Sequence, residues 1–83
     1  MKLTEVDKLI VTVCKKAKLV RIITTGGLII FAEKFKSSKS TDKGIYGLQF
    51  ERAYIFSNEN NIFKKDYTIL IGIIDDIEFS FSI

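Results

Sequence analysis

Two runs of largely β-branched, apolar residues, 19–24 and 28–35, flank Thr25-Gly26-Gly27. Adjacent glycines supply the positive φ angles that a tight hairpin demands, so the two runs are expected to pair as antiparallel strands. Beyond them the alternation continues. Tyr46, Leu48, Phe50, Tyr54 and Phe56 are interleaved with Gly47, Gln49, Glu51 and Ala53, which predicts a long third strand with one aromatic-rich face interrupted by Arg52. Ser57-Asn58-Glu59-Asn60-Asn61 has the composition of a turn. Residues 62–74 then read as a further strand region, with Gly72 marking a bend or bulge. Asp75-Asp76 would connect it to a last strand that places Ile77, Phe79, Phe81 and Ile83 on one side and Glu78, Ser80 and Ser82 on the other.

Ahead of the hairpin the period changes. Val6, Leu9, Ile10, Val13, Cys14 and Ala17 recur every three or four residues, which predicts an amphipathic helix over residues 4–18 with Thr4 as its cap. Glu5 and Asp7 favour its positive end, and Lys15, Lys16 and Lys18 favour its negative end. Residues 36–44, Lys-Ser-Ser-Lys-Ser-Thr-Asp-Lys-Gly, carry no apolar side chain and are expected to form a solvated, mobile loop. The fold class that accommodates these elements is mainly β with one amino-terminal helix (α+β): a bent antiparallel sheet of about five strands that closes wholly or partly into a small barrel.

The chain has 83 residues, enough for a single domain spanning 1–83. At 47% apolar and 28% charged residues, with a mean hydropathy of +0.20, the composition is that of a packed domain. A chain this short buries only roughly 60–65% of its unfolded surface, which makes self-association a way to cover further apolar area; a homo-oligomer is one expectation. There is no His, no Pro, no Trp and one Cys. Histidine-dependent triads, His-containing zinc sites and intrachain disulfides are therefore excluded, and the expectation is a non-enzymatic protein without cofactor or metal. Met1-Lys2-Leu3 is soon followed by Glu5, Asp7 and Lys8, unlike a signal peptide, and the apolar runs are too short to span a bilayer. These features and the lone cysteine lead to an expectation of a cytoplasmic protein.

Charge is distributed unevenly. Residues 1–43 hold ten Lys and Arg against four acids, and residues 44–83 hold three against six, so a net +3 chain divides into a +6 half and a −3 half. Lys15, Lys16, Lys18, Arg21, Lys36, Lys39 and Lys43 are the candidates for a surface that neutralises nucleic-acid phosphates without reading sequence. Exposed members of Tyr46, Tyr54, Phe35 and Phe63 would add stacking on bases. Rings clustered away from the lysines would instead favour a protein partner.

Other groups have plainer readings. Cys14 lies on the helix's apolar stripe and reads as a packed thiol. Asp75, Asp76 and Glu78 read as a solvated acidic turn, with a weak divalent-cation site as the alternative. Thr24-Thr25-Gly26-Gly27 lacks the following Gly-Lys-Ser or Gly-Lys-Thr and the helix that a phosphate loop requires. Arg52 is expected either to reach Asp75 or Asp76 inside the fold or to mark where its strand leaves the core.

The order of helix, Gly26-Gly27 hairpin, long third strand and the apolar-acidic segment Ile73-Ile74-Asp75-Asp76-Ile77-Glu78-Phe79 resembles the Sm-like small β-barrels, over about residues 4–80. SH3-like barrels share much of that order. The resemblance implies a five-stranded barrel and contact with nucleic acid. It assigns no residue a role, because Phe35 and the Lys-Ser segment stand where Sm-like proteins carry an Asp and Asn pair that contacts RNA bases. Two functions follow as expectations: a module that binds nucleic-acid phosphates, and a protein-interaction module such as an inhibitor, adaptor or immunity-type protein of a phage or mobile element.

Overall fold

The computed structural model of the protein describes residues 5–82. Helix α1 (Glu5–Lys16) is followed by strands β1 (Leu19–Thr24), β2 (Ile29–Thr41), β3 (Gly44–Phe56) and β4 (Asn61–Leu70), a 3-10 turn (Ile71–Ile73) and β5 (Ile74–Ser80). The strands form one antiparallel sheet in the order β4-β3-β2-β1-β5. The sheet bends around its core, but β4 and β5 are its two edges and do not pair, so the barrel is not closed. The expected cap Thr4 and the terminal Ile83 lie outside the described residues.

The β1–β2 hairpin forms where the glycines predict it. Gly27 takes φ +86°, its amide donates to the Thr24 carbonyl at 3.0 Å, and the buried Thr24 hydroxyl accepts from the Leu28 amide at 3.0 Å. The Thr25 amide donates to the Ile73 carbonyl at 2.9 Å and ties the 3-10 turn to the hairpin.

The expected loop over 36–44 is mostly strand. β2 runs on to Thr41, and β3 starts at Gly44 after Asp42 and Lys43, with Ser37 donating to Gln49 at 3.0 Å across the ladder. Main-chain pairing to β3 needs no apolar side chains, which is why a Lys-Ser run serves as a strand. Likewise Asp75 and Asp76 belong to β5, and the 3-10 turn around Gly72 makes the connection.

Gly44 closes the β2–β3 turn at φ +119°, and a Cβ placed on it would come within 2.9 Å of the Asp7 carboxylate, which accepts from the Ile45 amide at 3.4 Å. Gly44→Ala is therefore expected to destabilise the fold by about 1–3 kcal/mol. The urea midpoint should fall by about 1–2 M without a change in slope. An unchanged midpoint would show that the helix-to-turn contact is absent in solution.

The bend has a definite location. Lys34 and Asp66 adopt positive φ, 58° and 52°, and both stand across from Glu51 in the register, so the irregular residues of β2 and β4 flank β3 at one position. On one side of that line β3 buries Leu48 and Phe50; on the other it buries Ala53 and Ile55. The inward parity switches there. The single aromatic face expected for β3 is divided: Phe50 lies in the core, Tyr54 and Phe56 are exposed past the switch, and Tyr46 is exposed beside the separate β2–β3 irregularity at Lys39–Ser40.

Cys14, Val20, Ile22, Ile30, Phe50 and Ile69 form the centre of the core. Ile10 of α1 and Ala17 just past its end pack against it, whereas Val6 and Leu9 on the predicted stripe remain 65% and 62% exposed. The Val6 and Leu9 side chains thus face solvent, while Asp7 on the same turns reaches the β2–β3 turn. Among the described residues no helix is long and apolar enough to cross a membrane, which does not bear on strands.

Candidate functional site

The seven basic residues nominated by the sequence do not share one surface. Arg21 pairs in register with Glu78 and donates to its carboxylate at 2.9 Å, with Asp76 at 3.8 Å. Lys36 donates to Asp66 at 2.7 Å, and that hydrogen bond, aided by the carboxylate's charge, raises the ammonium pKa above its ordinary value. Lys39 lies half-buried opposite Gly47, Lys43 sits in the β2–β3 turn, and Lys16 points to solvent from the helix end. Because β2 extends through this segment, its lysines are held apart by the strand.

Lys15 and Lys18 are brought together with two residues outside that set. They line a groove of about 400 Å³ with Glu33, Lys34 and Phe35 of β2 and Arg52 of β3. Four cations there face one carboxylate, a local +3 that equals the formal net charge of the whole chain. The electrostatic signal is concentrated here because elsewhere the fold pairs the basic half with the acidic half, as β1 does with β5.

Arg52 is the centre of this arrangement. Its guanidinium lies 3.4 Å from Glu33, the residue across from it on β2, and forms no ion pair with Asp75 or Asp76, the first of the two alternatives expected for it. Its Nε is buried and has no hydrogen-bond partner among the described residues. The Arg52 side chain is 37% exposed, so its outer N–H groups, and not the buried Nε, are the donors that an oxyanion can meet. Arg52 also borders a second recess of about 380 Å³ with Lys36, Glu51, Lys65 and Asp66, so it joins the two. The sequence signal for it was a charge at an aromatic strand position. Lys34 is exposed at the bend, where it takes a positive φ that a lysine does not announce.

Outside the grooves, Phe31, Tyr54 and Phe63 occupy one row across β2, β3 and β4. Tyr54 and Phe63 are in ring contact at 5.1 Å, and Phe31 meets Phe56 edge-on at 5.6 Å. Phe35, nominated for stacking, packs edge-on against core Phe50 and is partly buried, while also lining the basic groove. A separate apolar cleft of about 190 Å³ opens between helix and sheet, lined by Ile10, Leu48, Ile71, Ile74, Ile77 and Phe79.

Burial pushes the Cys14 thiol up to about 11, so it is a protonated core group at physiological pH. Asp76 and Glu78 are engaged with Arg21, and Asp75 falls on the opposite side of β5 from Asp76. The Gly27 amide, which a phosphate loop would need, is spent inside the hairpin. Comparison of the chain with protein-family models, with curated proteins and with solved structures finds no match.

Proposed function

We propose that the protein is a non-enzymatic binding module that holds nucleic-acid phosphates in the groove formed by Lys15, Lys18, Lys34 and Arg52. The observation that carries this reading is the convergence of four cations on one concavity lined by a single carboxylate. A phosphate oxygen would take up Arg52 donors that Glu33 leaves over, and the lysines would act as point charges along the backbone. Contacts of this kind position a strand without reading its bases.

Binding of a fluorescently labelled oligonucleotide, followed across a salt series, tests the reading. Three or four neutralised phosphates should give log K against log salt a slope of about −2 to −3 for a single strand. A slope near zero, or no binding at low salt, would refute it. A second reading, a protein-interaction module, draws on the apolar cleft and on Val6 and Leu9, exposed on the same helix as Ile10. Contacts of that type are insensitive to ionic strength, so the salt series separates the two.

A further inference from the structure

We propose that the outer face of the sheet is a stacking platform for unpaired bases, built on Tyr54 and Phe63, and that the nucleic acid this protein takes is therefore single-stranded. The inference rests on the phosphate-binding reading and specifies its ligand.

Tyr54 lies between buried Ala53 and Ile55, so its ring faces away from the core; it is 37% exposed, and its partner Phe63 is 46% exposed. The two are in register on β3 and β4, with tilted rings whose centres are 5.1 Å apart. Phe31 continues the row on β2. The rings are outside because the inward parity of β3 reverses at the Lys34–Glu51–Asp66 line, which commits Ala53 and Ile55 to the core in their place.

What surrounds the rings identifies the occupant. Along β3 and β4 the next register positions are Ala53 with Lys64 and Arg52 with Lys65. Residues two apart on one strand face are about 6.6 Å apart. A base lying on Tyr54 or Phe63 thus has its phosphate within reach of Arg52 and Lys65, and Arg52 is also the residue that opens into the basic groove. Rings bordered by cations in this way match the π-face and the charge of an unstacked nucleotide. A duplex keeps its base faces stacked inside and presents only edges and phosphates, so it can use the groove but not the rings. A protein partner would be drawn to the rings without needing the cations.

The test compares a fluorescein-labelled oligo-dT with a duplex of equal length, using the full chain and its Tyr54→Leu/Phe63→Leu variant, which keeps apolar bulk and removes the π-faces. Oligo-dT should bind the full chain more tightly than the duplex does. The variant should lose about 10- to 100-fold in oligo-dT affinity with its salt slope unchanged and its duplex affinity within threefold. With three Tyr and no Trp in the chain, tyrosine emission gives a second readout: oligo-dT should quench it in the full chain and much less in Tyr54→Leu. Equal affinity for duplex and single strand, or a variant loss below threefold, would overturn the platform while a steep salt slope left the groove standing. A flat salt slope with no oligonucleotide binding would overturn both. A variant whose molar mass by light scattering falls below that of the full chain would assign the rings to contact between copies and overturn the proposal.

Discussion

Phe50→Ala is expected to destabilise the fold by about 3–5 kcal/mol, whereas Tyr54→Leu, four residues along the same strand, should cost no more than about 0.5–1.5 kcal/mol, the worth of its ring contact with Phe63. Phe50 is 1% exposed, heads the fully buried side chains by volume and meets the Phe35 ring edge-on at 5.6 Å. Truncating such a ring costs about 3–5 kcal/mol through lost transfer energy and the cavity left behind. A domain of this length has a total stability of about 4–12 kcal/mol, so one substitution removes much of it. Far-UV circular dichroism against temperature and urea makes the comparison. The two positions share strand parity, and simple alternation treats them alike. Similar losses at both would show that the inward face does not switch at Glu51, and the placement of the Tyr54 ring outside the core would fall with it.

That contrast marks where the sequence stops being legible. The hairpin could be read because Gly26 and Gly27 announce positive φ, and the helix because Ile10, Cys14 and Ala17 repeat at its period and do reach the core. The bend could not. It relies on positive φ at a lysine, which gives no such signal, and at an aspartate, which tolerates that geometry but is not marked for it here, and on the register that sets both opposite Glu51. The polar part of β2 was obscured for a related reason: its pairing with β3 is a main-chain matter, and Ser37, Ser38 and Lys39 have the composition of a loop.

The charge reading changed in the same way. Its halves are real in the sequence, but antiparallel pairing of β1 with β5 sets Arg21 against Glu78 and Asp76, and the bend sets Lys36 against Asp66. Two nominated cations are thereby engaged with acids. Arg52, carried in the acidic half, joins the basic cluster through its ladder position opposite Glu33. Composition records how many charges there are, while register determines which remain available to a ligand.

Reversing two charges in the groove should have the largest effect on binding. Lys18→Glu/Lys34→Glu removes two of the four groove cations and adds two anions beside Glu33, turning a local +3 into −1. Each reversal at a solvent-accessible site is worth about 1–1.5 kcal/mol, so oligonucleotide affinity should fall about 100-fold near 0.1 M salt. The salt slope should become shallower by about 1.4, two contacts at about 0.7 each for a single strand. Lys18 lies two residues beyond the last helical residue and Lys34 is exposed, so Lys15 and Lys16 still complement the helix end and the fold is preserved. Lys43→Glu is the matched comparison. It changes the total charge by the same amount per site but lies in the β2–β3 turn outside the groove, and it should reduce affinity less than threefold. If Lys43→Glu weakened binding as much as either groove reversal alone, affinity would follow net charge and not this concavity, and Arg52 would lose its place at the centre of the site.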